Sequence, residues 1–252
     1  MSRAGLLCLL ALAVARLTAA EQTDLLLIAA NEALLQPVLD QLANPRTETH
    51  AAWRIWSGQL AGKNIVLTRS EGDPLNAVAA ATLAIRLHQP RLVVVYGVGR
   101  AHDPALQAGD IVVSREFAAF DGMLSPVTAL GAGSHPLRWN KLPHRMMGPG
   151  ERETPAESFP ADHAALELAL NLAVPRGRVV AGVLGSANQI NREVDRIAWL
   201  REQWHSSTED NESAHVAGCA VLFGVPVVGF RVVAGRPEEV AEFALRFVKA
   251  WR

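Results

Sequence analysis

Residues Ser206 to Gly235 read SSTEDNESAHVAGCAVLFGVPVVGFRVVAG and decide how the rest of the chain is understood. Ser, Thr and three acids open the stretch. A helix-forming run rich in Ala and Val follows to about Phe223, and Gly224 stands where a helix C-cap belongs. VPVVGFRVVA then reads as a buried strand. Asp210 or Asn211 is the expected N-cap, which puts Glu212 in the first turn. Acids there satisfy unpaired N–H groups and suit the helix dipole, so Glu209, Asp210 and Glu212 can be read simply as a helix start. The functional reading is that one carboxylate turns inward. Its two acceptor oxygens can take both hydroxyls of a ribose cis-diol, with the apolar helix and strand as a dry wall behind.

Outward from this stretch the chain alternates buried strands with helices. Thr23 to Ala30 is a continuous apolar run of strand length, and an amphipathic helix from Glu32 to Leu42 follows Asn31. Trp53 to Arg69 reads as a hairpin turning at Ala61-Gly62, Asn76 to Leu87 as an Ala-rich helix, and Arg91 to Tyr96 as another buried strand. Asp110 to Phe117 and Arg178 to Leu184 are further strands. Helices are expected from Asp162 to about Ala173, from Arg192 to Trp204, and at the C-terminus around Val240, Phe243 and Phe247. This alternation predicts an α/β fold, a three-layer α/β/α sandwich on a mixed, largely parallel sheet. Gly131 to Pro160 is the least regular segment and has the length of a lid or binding loop.

The first twenty residues predict something else. Met1-Ser2-Arg3 is a short basic start, Ala4 to Leu17 is apolar apart from Arg16, and Thr18-Ala19-Ala20 ends in small residues. That is the pattern of a signal peptide, 1–20, with a single mature domain from 21 to 252 in the periplasm or outside the cell. Cleavage leaves Cys219 as the one cysteine of the mature chain, so no intramolecular disulfide is expected. Half of the residues are hydrophobic and the net charge is -1. With no basic patch, nucleic acid is not an expected partner, and no membrane contact is expected after cleavage. The eight His show no metal-ligand spacing, and no G-x-S-x-G elbow occurs. The reading therefore assigns no metal and no cofactor.

The block Asp210-Asn211-Glu212-Ser213-Ala214, followed by the strand through Arg231, resembles the purine nucleoside phosphorylase and uridine phosphorylase superfamily. Within it the chain is similar to methylthioadenosine/S-adenosylhomocysteine nucleosidases. Their M-E-x-A motif supplies a Glu for the ribose hydroxyls, at Glu212 here, with Asn211 in place of Met. A second block, Tyr96 to Ser114, resembles the family's T-G-x-A-G-G-x-x-P-x-L-x-x-G-D-I-V-V-S, with Val98 at a position where phosphorylases place a phosphate-contacting Ser. Gly185 to Asn191 resembles the purine-stacking loop S-G-D-A-F-I-N, with Gln189 in place of the aromatic residue. The resemblance implies cleavage of a purine nucleoside's N-glycosidic bond and a homodimer or larger homo-oligomer, with phosphate as a candidate second ligand. It implies a substrate-binding set of Gly97, Val98, Gln189, Ile190, Asn191, Asn211 and Glu212, to which Arg100 is added as a new charge beside the Gly-rich turn; the catalytic candidates are Glu212 and, as a replacement for the changed acid, Asp210.

Two family positions are changed. The Glu that activates water aligns with Leu34, and the S-D pair that supplies the general acid aligns with Ala234-Gly235. Three classes therefore stay open: an exported nucleosidase or phosphorylase with rearranged acid and base, a nucleoside-binding protein without turnover, and a structural or storage relative.

Overall fold

A computed structural model describes residues 22–252; the signal-peptide expectation falls outside the described residues. The strands of the main sheet are β1 (Leu25–Ala29), β2 (Ala43–His50), β3 (Trp53–Leu60), β4 (Lys63–Arg69), β5 (Leu92–Ala101), β6 (Ile111–Ala119), β7 (Ser158–Pro160), β8 (Val179–Ser186), β9 (Ser206–Asp210) and β10 (Val227–Val233). The helices are α1 (Glu32–Leu39), α2 (Pro74–His88), α3 (His163–Leu170), α4 (Val194–Trp204), α5 (Ser213–Leu222) and α6 (Pro237–Ala250). The sheet runs β7-β6-β8-β9-β5-β1-β4-β3-β2, and β10 pairs with both β5 and β6. Its central pairings are parallel: β4 with β1, β1 with β5, β5 with β10, β6 with β8, and β8 with β9. The β2-β3-β4 meander and the contacts of β7 and β10 with β6 and of β9 with β5 are antiparallel. Pairing therefore closes into a ring through β5, β10, β6, β8 and β9, and the ends of β5, β9 and β10 meet.

Strand alternation makes the layers. Leu25, Leu27 and Ala29 of β1 point into one core with Val94, Tyr96, Phe230 and the α6 residues Phe243 and Phe247. Leu26 and Ile28 point into the other, with Val93, Val95, the α2 alanines 77, 81 and 84, and Val216 and Ala217 of α5. Helices thus cover both faces, and each fully buried large side chain contributes ~1.5–3 kcal/mol. Tyr96 is fully buried and its hydroxyl donates to the Leu34 carbonyl at 3.1 Å, which ties α1 to β5.

Three local expectations are corrected. Ser206–Asp210 is a strand, not a polar lead-in to a helix: Ser206, Thr208, Glu209 and Asp210 are buried and bonded to neighbours on both sides. Helix α5 starts later than expected, with Glu212 as its N-cap residue. Asp210 still does the capping, because its Oδ1 accepts from the N–H groups of Glu212 and Ser213, both at 2.7 Å. Residues 43–50 form a strand unforeseen in ANPRTETH, an exposed edge strand held by β3 rather than by any apolar pattern of its own. Between β6 and β7 the irregular segment carries two small ribbons, Met123–Leu124 with Asn140–Lys141 and His144–Met147 with Glu153–Ala156. Asp121 anchors it, with His144 Nε2 at 3.3 Å and His215 Nε2 of α5 at 2.9 Å.

Candidate active site

Arg231 is the physical centre of the site. It lies in β10, whose other members are apolar or glycine, and is 1% exposed. A buried guanidinium requires compensating charge and acceptors. Its Nε donates to Asp210 Oδ2 at 2.9 Å and its Nη2 to Glu212 Oε1 at 3.2 Å, and both reach Ser213 Oγ, at 3.0 and 2.6 Å. Gly97 makes this packing possible. A Cβ there would stand 2.2 Å from Arg231 Nη1, so the backbone of β5 must pass without a side chain.

The two carboxylates facing one guanidinium differ. Besides Arg231 and the two capping N–H groups, Asp210 accepts from Ser213 Oγ at 2.7 Å and Ser186 Oγ at 2.9 Å. Burial pushes its pKa up, but Arg231 and the Ser213 hydrogen bonds outweigh it and hold Asp210 below the usual carboxylate range. Five donors and a depressed pKa give Asp210 the role of an anchor, and a proton donor needs the opposite state. Asp210, one of the two catalytic candidates, thus serves as the group that holds Arg231 and the start of α5. Glu212 has only Arg231 on Oε1 and the Ser70 hydroxyl on Oε2. Burial, helped by the charge of Asp210, outweighs Arg231 and raises its pKa above 4.5. Each oxygen of Glu212 keeps one lone-pair direction unused by a described residue.

Glu212, Asp210, Asn211, Arg231, Gly97, Val98, Gly99, Arg100 and Glu209 line one cleft of about 340 Å³, closed by Asn31, Leu34 and Pro237. The structure thus brings together Gly97, Val98 and Arg100 from one stretch and Asp210, Asn211 and Glu212 from another, with Arg231 from a third, at the meeting ends of β5, β9 and β10. Asn191 joins through an intermediary. Its backbone N–H donates to Glu209 Oε1 at 3.0 Å, and its side-chain amide donates to Oε2. Gln189 and Ile190 do not line the cleft. The Gln189 N–H turns back to the Ala187 carbonyl at 2.8 Å, and Ile190 is half exposed.

Glu209 is the residue the sequence reading left as a helix-start acid. It is 1% exposed, with His102 Nε2 3.2 Å from its Oε2. The other ring nitrogen of His102 sits 2.8 Å from Ser206 Oγ, and its ring stacks on Phe120. Burial works against ionisation of Glu209, but the bonds from His102 and Asn191 outweigh it and keep its pKa low. Ser70 was missed as well. Neither shows a sequence motif, but Arg231 inside VVGFRVV was a usable signal, since a charge in a buried strand must have acids nearby.

The positions altered from the expected catalytic pattern are apolar in space too. Leu34 lines the cleft and is 4% exposed. Glu32 lies outside it, 3.5 Å from Arg54 and 3.9 Å from Arg69. Ala234 takes a positive φ of 42° in a tight turn from β10 toward α6. Gly235 carries no side chain there.

The description of the phosphorylase superfamily matches residues 24–251, nearly the whole described chain. The chain belongs to the phosphorylase superfamily. It is 27% identical over 220 residues to the 5′-methylthioadenosine/S-adenosylhomocysteine nucleosidases of Bacillus thuringiensis and Bacillus anthracis, covering 85% of this chain and 87% of theirs. The corresponding nucleosidase of Neisseria meningitidis, solved with methylthio-immucillin-A, superposes with a TM-score of 0.73 at 21% identity over 90% of this chain and 99% of that one. A futalosine hydrolase mutant of Helicobacter pylori superposes with a TM-score of 0.71 at 19% identity, over 90% and 97%. These likenesses agree with the mixed sheet covered by helices on both sides.

Proposed function

We propose that this protein is an exported member of the superfamily that binds a purine nucleoside in the Glu212 cleft and acts on its N-glycosidic bond. The observation that carries the reading is the state of Glu212. It is buried at 3% exposure, oriented by Ser70 and Arg231, and retains one acceptor direction on each oxygen. Two free acceptor directions on one rigid carboxylate match the two hydroxyls of a ribose cis-diol. Asn211, whose amide donates to the Ala187 carbonyl at 3.0 Å, fixes the neighbouring loop. The ribose would then lie over Gly97 and Val98, with the base toward the Asn191 side. Relatives crystallised with methylthio-immucillin-A and with adenine support a purine ligand of this kind.

Cleavage makes the ribosyl group resemble an oxocarbenium ion while negative charge moves onto the base, and a protein helps by holding the first and accommodating the second. The usual carboxylate acid has no counterpart at Ala234-Gly235. That observation favours a second reading, in which binding is retained and turnover is weak. One assay separates them. The mature chain is incubated with a nucleoside panel, with and without phosphate, and free base is followed by chromatography while calorimetry reports binding. Base release supports the enzyme, and binding without release supports the second reading. Failure of both across the panel leaves a structural relative. Export is tested by mass spectrometry of periplasmic or secreted protein, which should begin near Glu21; a cytoplasmic chain starting at Met1 would refute it. The homo-oligomer belongs to the same proposal and is read from light scattering.

A further inference from the structure

We infer that Arg100 receives the negative charge of the departing base, in place of a proton from a carboxylic acid. The inference rests on the nucleoside reading above and concerns the other end of the same cleft. Arg100 and Glu209 are cross-strand neighbours in register on β5 and β9, so their side chains share a face. The guanidinium Nη1 stands 3.7 Å from Glu209 Oε1, beyond hydrogen-bond reach, and the side chain is 49% exposed. Glu209 is already occupied by His102 and both donors of Asn191. Arg231 is likewise occupied by Asp210, Glu212 and Ser213. Among the described residues, Arg100 is therefore the cleft cation whose N–H groups have no protein acceptor within hydrogen-bond reach, although Glu209 pairs with it ionically at 3.7 Å.

Its place fits the role. Position 97 lies beside Glu212, since a Cβ there would be 3.8 Å from Oε1. Arg100 is three residues further along the strand, roughly 10 Å at ~3.3 Å per residue; the odd spacing turns its side chain to the other face of β5 from position 97, where it lines the same cleft beside Glu209. That is on the scale of a nucleoside's long axis, with the ribose at Glu212. Arg100 also shares Glu209 with Asn191, so it stands on the loop side of the cleft, away from Glu212. A guanidinium offers charge and several donors but keeps its proton. In the step, the C1′–N bond breaks and its electron pair goes to the base, where Arg100 hydrogen-bonds the resulting anion. Water adds to C1′ of the ribosyl cation and loses a proton to solvent, and the base anion takes a proton from solvent on release. Bound base excludes water from the pocket, which strengthens the interaction.

The test compares wild type, Arg100→Gln and Arg100→Lys on two ribosides, 5′-methylthioadenosine and p-nitrophenyl β-ribofuranoside. The nitrophenolate leaving group is stable as an anion without help. Arg100→Gln should lower kcat on the purine substrate by ~10²–10³-fold, the loss typical when one charge-stabilising donor is removed. The loss on the nitrophenyl riboside should be far smaller, and Arg100→Lys should recover part of the purine rate. Wild-type kcat should show no fall on the alkaline side of neutrality, where a carboxylic acid donor would have lost its proton. Equal losses on both substrates, or an alkaline fall that Arg100→Gln leaves in place, overturn the inference. Calorimetry with 5′-methylthioadenosine runs alongside. Binding by wild type without purine turnover overturns this inference alone, and no binding overturns the nucleoside reading itself.

Discussion

The two ends of the Arg231 network differ in what holds their chemistry in place. On one side Asp210, Glu212, Ser213 and Ser70 converge on a guanidinium that is 1% exposed, and the same bonds cap α5 and tie β8, β9 and β10 together. On the other side the chain leaves β10 through Ala234 and Gly235, and Leu34 faces the cleft from α1. The first group is structure and site through its polar side chains; in the second, Leu34 serves the core as an apolar side chain and Gly235 serves the turn with none. A carboxylate that also neutralises a buried arginine cannot be lost without harming the fold. An acid on a turn, or a base on the first turn of a helix, can be replaced by Gly or Leu at little cost to the fold.

The largest effect should come from breaking the structural side. Arg231→Met leaves Asp210 and Glu212 buried without their cation, and removing one partner of such a group destabilises by ~3–5 kcal/mol. Arg54→Met, which breaks an exposed pair with Glu32 at 3.5 Å, should cost ~0–1 kcal/mol. Urea unfolding of the two variants measures the difference, and equal midpoints would mean that the network is not what holds this side. The pH dependence has a definite sign. The pKa of Asp210 is depressed below 3.8, so its contribution is present above that value and disappears as the pH falls through the folded pKa. Glu212 is raised above 4.5 and runs the other way for stability, its contribution being complete below that value and lost as the pH rises through the folded pKa.

Next in size is the ribose grip. Glu212→Ala removes the acceptors for two hydroxyls, at a cost of ~1–3 kcal/mol or more. Calorimetry should show a loss of purine nucleoside affinity of about 5- to 150-fold or beyond. Because the ionised form is the acceptor, wild-type affinity should also weaken as the pH falls through the raised pKa of Glu212, in a window that opens above 4.5. Affinity indifferent to both changes would detach Glu212 from ribose.

The third prediction goes to the other side. Restoring an acid by Gly235→Asp should fail. A Cβ at 235 would stand 2.3 Å from Val232 Cγ2 and 2.6 Å from Glu239 Oε2, so the turn must shift and the new carboxylate would meet an existing one. We expect ~1–3 kcal/mol of destabilisation and no gain in base release. A variant that stays stable and turns over faster would show that this turn can still host an acid.

The layered fold was readable because buried parallel strands leave continuous apolar runs such as LLLIA and LVVV, and because helix caps and Pro positions follow local rules. Besides the short β7, two strands escaped, and they have no such pattern. Residues 43–50 are polar and exposed because only their backbone is needed at the edge. Ser206–Asp210 is polar because Ser206, Ser207, Glu209 and Asp210 spend their side chains in hydrogen bonds instead of hydrophobic contacts. The cleft residues on short segments, Gly97 to Arg100 and Asp210 to Glu212, were found through the resemblance of their blocks to the family, and their convergence was expected because strand ends collect ligands in such sheets. Ser70 and His102 were not found, and Glu209 entered only as one of three acids, without its partners. Their roles depend on partners between 18 and 142 positions away, which no local spacing encodes.

The smallest expected effect tests how the Gly185–Asn191 loop reaches the cleft. The loop touches it through Asn191, whose N–H and amide both bond Glu209, while Gln189 stands off the cleft wall and Ile190 is half exposed. Gln189→Ala removes a side chain that makes no hydrogen bond to any described residue. A change away from packing and polar networks stays within about ±0.5 kcal/mol, so nucleoside affinity and the urea midpoint should barely move. Asn191→Ala is the matched partner. It removes the side-chain bond to Glu209 and leaves the backbone one, for a net loss of ~1.5–3 kcal/mol, the range for a hydrogen bond to a charged group. The contrast between the two, measured on one ligand by calorimetry, decides the loop's mode of action. If Gln189→Ala weakens binding as much as Asn191→Ala, the loop must fold over the ligand and use the position that relatives fill with an aromatic residue. If only Asn191→Ala matters, the loop acts through Glu209, and its remaining side chains are free of the ligand.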